Sequence, residues 1–380
     1  MRRLFSLAVA VLAARLLFAA ETVHARFGAD AFNRAVSVAT SGNAVFSPYS
    51  FEINSVALSD AFDPIVKAHF AETIGVLSDL EEIYGSIFAR MKSAATNRFS
   101  VVTARAFCLP ETKMANVPYR CDIQRVYSME VCPGIPATGA ERWLRAAVDG
   151  DMEDFSIPLG TVTRDTYALY DLVSVRFSWK NPFPKANTRK LSFVHEDGTR
   201  SEVEAMCDLR NVDVWRNRRF SLMRLPLADQ AWFYAMLPAE GVSVGDIRGE
   251  LSSQTIDNLL SVMKSVTITG VSHDPVAVAV PKMDVTTELD LSGVYQYFKL
   301  PLKGFARMDS AMRPSAVRQR VRLRVDEQGL DPAPLDVKPE SEVVRAVENT
   351  QRFILNRPFL FFVYHEPTGM IPVAGQFTGM

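Results

Sequence analysis

No Gly-x-Ser-x-Gly elbow, no phosphate-cradling glycine loop and no His/Cys cluster at metal-ligand spacing occurs in the 380 residues. Hydrolase, nucleotide-binding and zinc chemistry therefore have no local support. The five histidines, His24, His69, His195, His273 and His365, stand apart. They are read as surface or turn residues. His195-Glu196 lacks the second histidine of a zinc helix, and Asp197-Gly198 beside it reads as a hairpin turn. Nothing supports a Ser/His/Asp triad, so no enzyme, metal or cofactor is expected. There is no Asn-x-Ser/Thr sequon, so N-glycosylation is not expected. Net charge is −1, which gives no global pull toward nucleic acid or an anionic membrane. No 20–50-residue repeat or low-complexity segment is present. Cysteine is scarce: Cys108, Cys121, Cys132 and Cys207. Four cysteines allow three connectivities, and free buried thiols are the other reading. Cys121 with Cys132 is the closest pair along the chain.

What is abundant is apolar side chain, 48% of residues, enough for a sizeable core. The first residues carry Arg2-Arg3, an apolar stretch Leu4 to Ala14, then small residues at Ala19-Ala20 and Val23-His24-Ala25. That order reads as a secretory leader over 1–20, with a cut as late as residue 25 as the alternative. Arg15 interrupts the stretch and argues against a spanning helix. Phe27 to Val38 reads as a helix. Val317 to Val325 alternates, with Arg318, Arg320, Arg322 and Arg324 on one face and Val317, Gln319, Val321, Leu323 and Val325 on the other. Period two predicts a half-buried strand. Phe359 to Tyr364 is continuously apolar, opened by Pro358 and closed by Pro367-Thr368-Gly369, and predicts a buried strand.

Five blocks carry a family resemblance. Asn356-Arg357-Pro358-Phe359 through Pro367-Thr368-Gly369 resembles the C-terminal signature of serpins. Asn43-Ala44-Val45-Phe46-Ser47-Pro48-Tyr49-Ser50 resembles their Asn-x-x-Phe-Ser-Pro-x-Ser element. Trp179 to Phe183, with Thr188, Phe193, Asp197-Gly198 and Met206, resembles the Trp-x-x-Pro-Phe region. Asp326-Glu327-Gln328-Gly329 is similar to the start of the reactive loop, and Val280-Pro281-Lys282 to a sheet strand. The resemblance runs from about Phe27 to Met380 and is weakest between Glu52 and Thr138. It implies an α+β serpin fold: helices around three β-sheets, one domain over 26–380, and an exposed C-terminal reactive loop over about 329–356. It implies a serine protease as partner, no cofactor and a monomer.

In that family a protease cuts the loop, and the freed hinge inserts into the central sheet as a new strand. Inhibitory members carry small residues there. This hinge reads Glu327, Gly329, Leu330, then Pro332, Pro334 and Asp336. Proline has no N–H to give a ladder, and two prolines two apart deprive the same neighbour. Asp336 shares the parity of Leu330 and would be sent toward the core. The bait is read as Arg345-Ala346, which implies a trypsin-like partner; Arg352 is a second candidate. The resemblance also marks a sheet-opening region: Ser47, Ser50 and Trp179, with Ser174 and Gln319 where the family has a cross-sheet Asn and His.

Three functions follow. The first is a secreted serpin that meets serine proteases through its loop but inhibits weakly or not at all. The second is a suicide inhibitor with Arg345 as bait. The third is a polyanion- or receptor-binding serpin, with Arg318, Arg320, Arg322 and Arg324 as a glycosaminoglycan stripe. A leader together with an eroded hinge also resembles divergent serpins of large DNA viruses, which dampen host proteases in immune modulation.

Overall fold

A computed structural model describes residues 28–37, 42–74, 76, 79–110, 117–133, 162–251, 253–269, 275–307, 311–330 and 351–379. The leader, Pro332, Pro334, Arg345 and Ala346 lie outside them.

Continuous and alternating apolar runs become the strands of three sheets, which helices pack against. One sheet runs β1 (Ala44–Phe46), β16 (Met370–Phe377), β15 (Phe359–His365), β9 (Ala231–Pro238), β8 (Phe220–Pro226), β7 (Asp213–Arg216). β15 pairs on both sides, and all its residues are buried. That is why its sequence is apolar without alternation. A second sheet runs β14 (Arg352–Ile354), β10 (Val276–Pro281), β6 (Arg200–Arg210), β5 (Arg189–Val194). Its β5–β6 hairpin turns at Asp197-Gly198, as expected: Gly198 has φ +81°, and Asp197 Oδ1 accepts the Thr199 N–H at 2.9 Å.

The third sheet runs β11 (Met283–Asp290), β12 (Arg313–Val325), β13 (Gly329–Leu330), β4 (Thr166–Ser178), β2 (Phe99–Leu109), β3 (Met129–Pro133). β12 alternates as its sequence predicts, with Val317, Gln319, Val321, Leu323 and Val325 turned into the core. The expected first helix covers residues 28–37. Helix α2 (Pro48–Ser59) is buried on every side. It starts cleanly because Ser47 caps it, accepting the Ser50 N–H at 3.2 Å, and Pro48 needs no donor at the first helical position. Its Glu52 is buried and accepts a hydrogen bond from the Tyr84 hydroxyl at 3.0 Å; burial pushes its carboxyl well above the ordinary range.

Two expectations are corrected. His365 is neither surface nor turn. It ends β15 inside the core, stacked on Phe99 at 4.7 Å between ring centroids, with Nδ1 2.8 Å from Thr368 Oγ1. The apolar strand carries it inward, and burial lowers its pKa to about 4. The closest cysteines along the chain do not meet either. All four are free; Cys121 is exposed, while the β2–β3 register sets Cys108 opposite Cys132. His195 does sit at its hairpin, between Thr378 O and Ser201 Oγ, each at 2.9 Å.

Candidate functional site

β12 leaves the core at Val325 and turns back within four residues. Asp326 N donates to Gly329 O at 2.8 Å, Gly329 N to Asp326 O at 3.1 Å, and Asp326 Oδ1 accepts the Gln328 N–H at 2.7 Å. This Asx-braced turn is what Asp-Glu-Gln-Gly encodes. Gly329 is needed for space: a Cβ there would stand 2.0 Å from Phe177 O, at φ +152°. Glu327 is buried under the turn, taking a hydrogen bond from Thr188 Oγ1 at 2.7 Å and facing Lys282 Nζ at 3.5 Å. Burial alone would raise its pKa; the Thr188 hydrogen bond and the Lys282 charge outweigh it and hold it below the usual carboxylate value.

Trp179 pins the turn. Its backbone N–H donates to Gln328 O at 2.9 Å, its indole N–H to Asp326 O at 2.9 Å, and nearby Phe183 N donates to Glu327 O at 2.8 Å. The ring itself is fully buried against Phe183 and Phe233. Trp179 thus joins the place expected of it, at the end of β4, to the hinge.

Past the turn, β13 lies between β4 and β12 and is antiparallel to both. Gly329 pairs with Ser178, and Leu330 pairs with Phe177 on one side and Val325 on the other. Leu330 is buried. Further along, β4 and β12 pair directly with each other, from Ser174–Arg322 to Thr166–Arg313. The first two hinge residues therefore occupy the top of a slot that is closed below them.

In that closed region lies a buried polar cluster. Gln319 on β12 donates from Nε2 to Asp171 Oδ2 at 2.8 Å and to Ser47 O at 3.1 Å, and its Oε1 accepts the Ser47 N–H at 2.8 Å. Ser50 Oγ donates to Asp171 Oδ1 at 2.8 Å, and Arg105 Nη2 donates to Ser50 Oγ at 3.1 Å. Arg105 Nη1 donates to Tyr127 O at 3.1 Å, and its Nε lies 3.9 Å from Asp171 Oδ1. Burial raises the Asp171 pKa, and the Arg105 charge and three side-chain hydrogen bonds counter it.

Ser47, Ser50 and Gln319 come together in this cluster, and Ser174 is not among its partners. The parallel β4–β12 register sets Gln319 against Asp171, and Ser174 against Arg322. Three residues apart on a strand, Asp171 and Ser174 point to opposite faces. Asp171 and Arg105 were missed. Each is one charged residue at an inward position of an apolar strand, Tyr167 to Val175 and Phe99 to Leu109, and that mismatch was the available signal.

The four β12 arginines are matched by acids on β11. Arg318 and Arg320 lie 2.5 and 3.6 Å from Glu288, and Arg322 and Arg324 lie 3.3 and 3.5 Å from Asp284. Among the described residues no group of three or more His, Cys, Asp or Glu side chains could hold a metal, and no helix is long and apolar enough to cross a membrane.

A family model described as Serpin (serine protease inhibitor) matches residues 22–379. Human glia-derived nexin is 24% identical over 384 aligned residues, covering 94% of this chain and 92% of that protein. Bovine plasminogen activator inhibitor 1 is 24% identical over 257 residues, 62% of this chain and 59% of that protein. The structure of native protease nexin-1 with heparin superposes with a TM-score of 0.77 at 20% identity, covering 96% of this chain and all of that one. The thermophilic serpin tengpin in its native state superposes at 0.78 with 18% identity, covering 95% of this chain and 94% of that one.

Proposed function

The chain belongs to the serpin family, and from that premise we propose that it is a secreted ligand of serine proteases that is cut in its reactive loop and inhibits weakly or not at all. The observation that carries this reading is the register of β13. Leu330 stands opposite Phe177 and Val325. In an inserted state that continued this register, position 332 would face Val175 and Leu323, and position 334 would face Val173 and Val321. The sequence puts proline at both. Neither can donate, so two carbonyls of one neighbouring strand lose their partners inside the sheet. Each orphan costs about 1–3 kcal/mol. Insertion then lags behind hydrolysis of the acyl-enzyme, and the protease goes free. Arg345-Ala346 is the proposed cleavage point, which calls for a trypsin-like partner. Secretion rests on the basic, apolar, small-residue order of residues 1–25. We take the working form to be a monomer.

The test is incubation with a panel of trypsin-like proteases. The expected result is a loop cut at Arg345-Ala346 with no protease complex that survives SDS. An SDS-stable complex would establish the suicide-inhibitor reading instead. One observation favours that alternative: the hinge already has two residues in the slot. The glycosaminoglycan reading draws support from the heparin held by protease nexin-1, a property of that protein. It is weakened here by the ion pairs that occupy Arg318, Arg320, Arg322 and Arg324.

A further inference from the structure

Among the described residues β3 is an edge strand, paired with β2 on one side. The pairing is parallel. Its register runs from Arg105–Met129, through Cys108–Cys132, to Leu109–Pro133. Residues set opposite each other on neighbouring strands send their side chains to the same face. Cys108 and Cys132 therefore meet on the face that carries Ala104, Ala106 and Ala168, and Phe107 and Leu109 turn to the other face and the main core. Both cysteines are buried, at 3% and 6% exposure. On its other side Cys108 pairs with Ala168, which offers the sulfur no polar side chain. The partner left to each thiol is the other, and the two are hydrogen-bonded.

Neighbouring strands lie about 4.8 Å apart. A disulfide needs Cα atoms about 4.4–6.8 Å apart and Cβ atoms turned into the same space. The β2–β3 register meets both conditions without moving the backbone. The remaining cysteines do not. Cys207 stands in another sheet, opposite Ala279, and Cys121 is exposed on the helix Val117–Tyr127.

We propose that Cys108 and Cys132 are a redox site, which a small disulfide such as glutathione disulfide converts into a cross-link between β2 and β3. Cys132 attacks first, for two reasons. It lies on the edge strand, which opens locally at lower cost than an inner one. The hydrogen bond with Cys108 also lowers its pKa, and the same contact together with burial raises that of Cys108. The Cys132 thiolate attacks one sulfur of the reagent, forming a mixed disulfide and expelling one glutathione thiolate. Cys108 gives up its proton and attacks the Cys132 sulfur, expelling the second. The two protein thiols lose two electrons and two protons, and one glutathione disulfide becomes two glutathione thiols.

The bond closes a loop that contains the whole helix Val117–Tyr127. Tyr127 ends that helix and accepts from Arg105 Nη1 at 3.1 Å. The cross-link thus clamps the edge strand to the sheet and fixes the segment whose end holds Arg105. Its stabilisation comes mainly from the shortened freedom of the unfolded chain. The cross-link needs no residue of the reactive loop, and secretion bears on it only as the place where an oxidising pool is met.

The test uses the intact protein, fully reduced and then transferred to a glutathione redox buffer at pH 7.5. One sample is oxidised folded and one while refolding from urea, so that burial of the thiols does not limit the result. Free thiols are then alkylated in denaturant, and a non-reduced digest is mapped by mass spectrometry. The expected product is a linked peptide pair carrying Cys108 and Cys132, lost on treatment with dithiothreitol. Tm is expected to rise by about 5 °C on oxidation and to return on reduction. Cys132→Ser should show neither the link nor the rise. Alkylation of both Cys108 and Cys132 in both samples would overturn the proposal, as would a link from either of them to Cys121. A Cys108–Cys132 link that leaves Tm unmoved would overturn the clamp. None of these outcomes touches the loop reading, which is tested with proteases.

Discussion

Arg105 and Asp171 cross between β2 and β4 with essentially no solvent contact. Removing one partner of such a pair strands the other, at about 3–5 kcal/mol. Arg105→Met is therefore expected to lower the urea midpoint sharply, while Arg105→Met with Asp171→Leu should recover much of the loss. A double variant no better than the single would show that the pair does not act as a unit. His365 makes a pH prediction. Its pKa is about 4 when folded, against about 6.5 when unfolded. Between those values the unfolded chain binds more protons, so this residue's effect on stability is harmless above pH 6.5 and grows costly as pH falls toward 4. The full cost approaches about 3 kcal/mol. Buried carboxylates such as Glu52 and Asp171, with raised values, slope the opposite way. The comparison to make is therefore between the protein and His365→Gln, whose urea midpoint should fall less from pH 7 to pH 4.5.

At the scale of elements, β13 owes its place to Gly329 and to Trp179. Gly329→Ala puts a Cβ onto the Phe177 carbonyl and should expel the two-residue strand. Limited proteolysis should then cut near Leu330 faster than in the parent; an unchanged rate would mean that β13 tolerates the side chain. Glu288 and Asp284 on β11 hold the β12 arginines. Heparin retention is expected to be weak and to rise on Glu288→Gln with Asp284→Asn, falling again with salt. The strands themselves were legible in the sequence. Alternation in Val317 to Val325 and the continuous run Phe359 to Tyr364 are local patterns, and local pattern sets strand type. What was not legible lies across strands. Asp171 meets Gln319, and Cys132 meets Cys108, through registers that no window of sequence contains. Ser174, offered as the partner of Gln319, misses by three residues, which is enough to turn it to the other face.

For the whole molecule, the central claim is that the third sheet is closed and resists its own loop. β4 and β12 pair directly over most of their length, and the described hinge residues Gly329 and Leu330 lie between their ends. Serpin membership predicts a sheet that can open; Pro332, Pro334 and Asp336 argue that this strand is a poor guest. The most direct measurement is a thermal melt at pH 7.5 before and after the loop is nicked with trypsin, with the cut mapped. The account predicts a clean cut between Gly329 and Asn356 and a Tm that does not move. A large upward shift after cleavage would contradict it, because the loop would then have entered the sheet despite both prolines and the carboxylate.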